Sequence, residues 1–158
     1  MGDRCTVVVV CAKQHEGEVT AIMNGCVEPE YGANGTEYTD VLELEFEEMN
    51  YGGYDELHAI AEKHIPFFGW HGSGSSYCAG VFSAHGGEFG ASPTTGDENS
   101  PSVGVDRHGD VFAGQMECAM KYWKLRILAE KAMAPVKRRN GKRRKLPLRK
   151  SQRIKCKN

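Results

Sequence analysis

The alternation of apolar and polar positions divides the chain into short stretches of distinct period. Residues 5–13, CTVVVVCAK, form a continuous β-branched run, the pattern of a strand buried on both faces and central in its sheet. In residues 39–49, TDVLELEFEEM, Leu42, Leu44 and Phe46 alternate with Glu43, Glu45 and Glu47. A period of two makes this a strand with one face in a core and one in water. Between the two runs, Asn24-Gly25, Pro29 and Asn34-Gly35 break the chain into turns, so loop or edge structure is expected there.

NYGGY then turns the chain, and YDELHAIAEKHI reads as a helix. Asp55 is its expected cap, Leu57, Ile60, Ala61 and His64 or Ile65 its apolar face, and Pro66 its end. Two apolar pieces follow, 67–70 and 77–82, separated by HGSGSS and followed by a second turn near Gly86 and Gly87. This is the pattern of a hairpin in which Trp70 and Tyr77 fill a sheet face and Cys78 points inward. Residues 94–102 read as a surface loop, and SVGVDRHGDVF as a short strand with a turn at RHGD. In 112–133, Phe112, Met116, Ala119, Met120, Trp123 and Ile127 recur at intervals of three and four, which predicts a long helix with that stripe in the core.

The expected fold class is therefore α+β: a mostly antiparallel sheet of four to five strands, two helices packed on one face, and a basic, disordered C-terminal tail. The domains would be an acidic globular body, 1–135, and a flexible tail, 136–158. No apolar run approaches the ~20 residues that cross a bilayer. The opening MGDRCTVVVV has no small-residue cleavage site and reads poorly as an export signal. Six scattered cysteines without a CxxC pair fit reduced thiols and a cytoplasmic location.

Charge changes the picture more than composition does. The formal net charge is −1, yet the last 22 residues hold 12 of the 20 bases and no acid. These bases are Lys137, Arg138, Arg139, Lys142, Arg143, Arg144, Lys145, Arg149, Lys150, Arg153, Lys155 and Lys157. Between Lys13 and Lys63 stand 13 carboxylates and no Lys or Arg. Such a body attracts cationic partners, and such a tail binds polyanions by counterion release. The tail carries no aromatic side chain, so base stacking would have to come from elsewhere.

The glycine-rich stretch GWHGSGSSYCAG fails each catalytic pattern that it suggests. A phosphate-binding loop needs a Lys after its last Gly, and none occurs between residues 64 and 120. His71, Cys78 and His85 are seven residues apart and are the one trio to watch for a metal or a Cys/His active site, but no close ligand pair accompanies them. No metal and no cofactor is expected.

YGGYDELHAIAEKHIPFFGWHGSGSSYCAGVF and MECAMKYWKLRILAEKA, within residues 38–133, resemble in style the small accessory proteins of phages and mobile elements, anti-CRISPR proteins among them. The resemblance implies a non-enzymatic, stoichiometric inhibitor in the host cytoplasm that occupies the nucleic-acid groove of a basic host protein or ribonucleoprotein complex. Its expected partner surface is Asp40, Glu43, Glu45, Glu47, Glu48, Asp55 and Glu56. Two alternatives stand beside it: nucleic-acid binding through Lys137–Lys150 of the tail, and a small enzyme around residues 71–85. No membrane contact is expected.

Overall fold

A computed structural model of the chain describes residues 4–24, 40–95 and 100–134, together with the backbone of 29–31. The elements run β1 (Arg4–Ala12), α1 (Glu16–Met23), β2 (Pro29–Tyr31), β3 (Val41–Asn50), α2 (Tyr54–Glu62), β4 (Phe67–His71), β5 (Gly80–His85), β6 (Glu88–Pro93) and α3 (Ala113–Met133). The strands form one antiparallel sheet in the order β2-β3-β1-β4-β5-β6. The expected α+β class holds. Five strands make the body of the sheet, and three-residue β2 adds a sixth at the edge.

The apolar run of β1 is buried on both faces, as a central strand requires. Val7, Val9 and Cys11 enter the main core with Val19 and Met23 of α1, Leu57, Ile60 and Ala61 of α2, and Leu42, Leu44 and Phe46 of β3. Val10, on the opposite face, joins a second core with Val41, Phe68, Ala129 and Met133. Two helices do pack on one face, but they are α1 and α2; α3 covers the other. Helix α1 was expected to be loop. It is only two turns long, begins with Glu16 and Glu18 against the positive end of its dipole, and stops at Asn24 in the left-handed conformation. Helix α2 starts after Gly53, also left-handed, with Asp55 in its first turn rather than at the cap. Ile65 closes its buried face and His64 is exposed.

Two glycines of the puzzling stretch make room rather than hold a ligand. A Cβ on Gly69 would lie 1.9 Å from the Val8 carbonyl oxygen and 2.8 Å from the Phe82 ring, and one on Gly80 would lie 2.4 Å from Nε2 of His71. Trp70 and Tyr77 do not share a face. Trp70 lies against the α3-side core, whereas Tyr77 packs on the α1/α2 side. Cys78 is exposed in the loop before β5 rather than inward on a strand. The second turn falls at Gly86 and Gly87, both at positive φ, which matches the twist of a two-residue hairpin. The short strand expected near 103–112 reduces to a single bridge between Val105 and Val111.

Helix α3 departs furthest from the periodicity of its sequence. The residues it buries are Ala119, Tyr122, Leu125, Ala129 and Met133. Of the six residues expected in the core, only Ala119 is there; Phe112, Met116, Met120, Trp123 and Ile127 are exposed. The helix carries two apolar faces, and the sheet selects the one with small residues. Gly90 of β6 sits beneath Leu125 and the Tyr122 backbone, and buried Ser83 Oγ donates to the Tyr122 carbonyl at 2.8 Å. Arg126 completes the seat: its guanidinium lies 4.4 Å over the Phe68 ring, and it donates to the Tyr122 hydroxyl at 2.7 Å and to Glu130 at 3.0 Å.

Candidate functional site

The carboxylate row of β3 follows from its alternation. Leu44 and Phe46 face the main core, so Glu43 and Glu45 face the other way, opposite Val10 and Val8 of β1. Along that face they recur every ~6.6 Å, two strand steps. Helix α3 sits chiefly over β5 and β6, which leaves the outer face of β3 uncovered toward Asn50. Glu43 is half-buried, while Glu45, Glu47 and Glu48 are exposed. β2 brings Glu30 into register with Glu43.

The regular alternation ends in a bulge. The β1–β3 register slips between Cys5 and Val7, and Glu48 takes a positive φ of 57°. The extra residue returns Met49 to the main core and turns Glu47 and Glu48 outward together. Glu48 pairs with Arg4, and these two line a shallow concavity with Cys5, Thr6 and Glu47. Glu45 and Glu47 have no cationic partner among the described residues.

The seven expected acidic residues do not make one surface. Asp40, exposed just before β3, accepts the Lys13 N–H on its carbonyl at 2.8 Å, one residue out of step with Glu43 and Glu45. Asp55 and Glu56 stand in the first turn of α2, across the sheet from Glu43 and Glu45, where they oppose the positive end of the helix dipole. The basic residues Lys137, Arg138, Arg139, Lys142, Arg143, Arg144, Lys145, Arg149 and Lys150 lie outside the described residues. The point from which that segment departs is known: Met133 shares a core with Val10 and Val41, so α3 ends beside the start of β3.

The trio of the alternative reading does not converge. His71 is buried at one end of the β4–β5 pair, opposite Gly80. His85 lies at the far end of β5, five residues on and on the opposite face, and Cys78 is exposed. Both ring nitrogens of His71 are engaged. Nδ1 lies 2.9 Å from the Gly72 carbonyl, which only accepts, so Nδ1 carries the proton and Nε2 accepts from the Tyr54 hydroxyl at 3.1 Å. Burial holds the imidazole below its ordinary pKa, against the opposing effect of the Gly72 carbonyl. Burial likewise raises the Tyr54 hydroxyl. Rings of Tyr54, Tyr77 and Phe82 surround this neutral histidine. Among the described residues, no three His, Cys, Asp or Glu side chains gather as a metal would require.

The exposed apolar stripe of α3 is the feature that periodicity placed wrongly. Met120 is 65% exposed, and the bridged pair Val105 and Val111, just before the helix, is exposed as well. No described helix is long and apolar enough to cross a membrane. Comparison of the chain with models of protein families, with curated proteins and with solved structures finds no match.

Proposed function

We propose that this protein is a non-enzymatic binding protein that presents the outer face of β3 to a cationic surface on a host protein or ribonucleoprotein, of the kind that otherwise holds nucleic acid. The observation that carries the reading is the exposure of Glu45 and Glu47, unpartnered among the described residues, on a strand paired with β1 along its length and with β2 at residues 42–44. The strand fixes the backbone and the spacing of the row, so binding has only the glutamate side chains to order. Unscreened carboxylates also speed encounter with a basic groove and fix its register. In its inhibitory form, the reading has the protein occupy the groove of a host defence complex in the cytoplasm, one copy per groove, as phage-type inhibitors do. The test is displacement: nucleic acid labelled and bound to the purified partner complex should be released in proportion to added protein and reach completion at stoichiometric amounts. Simultaneous binding of nucleic acid and protein would contradict it.

A second reading is favoured by the sequence of residues 137–157, with 12 bases and no acid. That segment binds nucleic acid directly, with weak sequence preference and a steep salt dependence. Replacing its bases by glutamine in the full chain should abolish a mobility shift, and a shift that survives the replacement would rule the segment out.

A further inference from the structure

Helix α3 buries one face against the sheet and leaves a second apolar stripe in solvent: Phe112, Met116, Met120, Trp123 and Ile127, each 41–65% exposed. Phe112 precedes the helix in an extended conformation; at 3.6 residues per turn the four helical side chains fall within an arc of about 60° and run roughly 16 Å along the axis. A stripe this narrow and this long is a helix-packing seam rather than a scatter of surface residues. Its spacing also has a symmetry that suits one kind of occupant. Met116 and Ile127 lie equally far from the midpoint between Lys121 and Tyr122, and so do Met120 and Trp123. Phe112 and Lys131 are equidistant from that midpoint as well.

From this self-complementarity we infer that α3 packs antiparallel against α3 of a second copy of the chain about a two-fold axis near residues 121 and 122. Met116 of each copy then meets Ile127 of the other, and Met120 meets Trp123. Phe112 lies on the alkyl stem of Lys131. Such an interface is isologous, and every contact occurs twice. A two-fold axis crossing antiparallel helices brings like flank against like flank. The flank beside the stripe carries Glu117 and Lys124, both exposed, with Lys131 beyond them. Across the axis, Glu117 of one copy is within ~3 Å of level with Lys124 of the other, so two opposite-charge pairs frame the apolar seam. Self-complementary spacing and self-complementary charge together select a second copy over an unrelated apolar partner. The buried face of α3, seated on Ser83, Gly90 and Phe68, takes no part.

Sedimentation velocity of the full chain over a range of concentrations tests the inference. The intact chain should dimerise. Met120→Glu, at the most exposed position of the seam, should weaken the dimer by about a hundredfold or more while the thermal melt of the monomer stays put. Lys124→Glu and Glu117→Lys should each weaken it by roughly tenfold, and the double exchange should restore it. A chain that stays monomeric at every concentration overturns the inference. So does a dimer indifferent to Met120→Glu, or one that the double exchange does not rescue.

Discussion

The hydroxyl of Tyr54, first residue of α2, donates a 3.1 Å hydrogen bond to Nε2 of His71, last residue of β4. It ties the α2 layer to the sheet at the point where Gly52 and Gly80 leave room for the imidazole. Tyr54→Phe keeps the ring packing but leaves Nε2 as a buried acceptor without its donor. The expected loss is about 1–3 kcal/mol of unfolding free energy in chemical denaturation, the cost of such an orphaned group.

The same histidine makes stability depend on pH. Burial lowers its folded pKa below the ordinary value of 6.5, so on acidification the unfolded chain takes up the proton first. The contribution is complete above the unfolded value and is lost as pH falls through it toward the folded value. Denaturation midpoints from about pH 7.5 to about pH 5.5 should therefore fall more steeply for the natural chain than for His71→Phe. Parallel profiles would mean that His71 is not the titrating group.

Glycine substitutions separate space from flexibility. Gly69→Ala drives a methyl into the Val8 carbonyl, 1.9 Å from the ideal Cβ position, and should cost roughly 3 kcal/mol or more. Gly17, inside α1, meets nothing within 4 Å, so Gly17→Ala should stabilise by ~0.5–1 kcal/mol through helix propensity. Thermal melts of the two variants should move in opposite directions.

These outcomes also show how much the sequence could disclose. The paired signals of β1 and β3, one continuous and one alternating, are legible because a strand's period leaves no second choice of face. The outward direction of Glu43 and Glu45 comes with it. The seating of α3 is not legible: two apolar stripes share one helix, Ala119 lies at the edge of the buried one, and Gly90 and Ser83, far away in sequence, decide between them. The same limit separates Asp55 and Glu56 from the β3 row, since which helix covers which face is a property of the sheet order. The bulge at Glu48 and the two-turn helix α1 leave no periodicity long enough to read.

Arg126 offers a further check on that seating. It lies over Phe68 and bonds the Tyr122 hydroxyl and Glu130 at once. Arg126→Ala should destabilise by about 1–3 kcal/mol through lost packing and hydrogen bonding, whereas Ile127→Ala, on the solvent side, should stay within ~0.5 kcal/mol for the monomer. Equal costs would mean that α3 is rotated from the orientation described.

The most direct measurement is the affinity of the natural chain and of a Glu45→Lys, Glu47→Lys double variant for the captured basic partner, at low and at high salt. Both positions are exposed, so the variant should melt with the natural chain. Its affinity should fall by about a hundredfold or more at low salt, with the gap narrowing as salt rises. An affinity untouched by the double reversal would contradict recognition through β3.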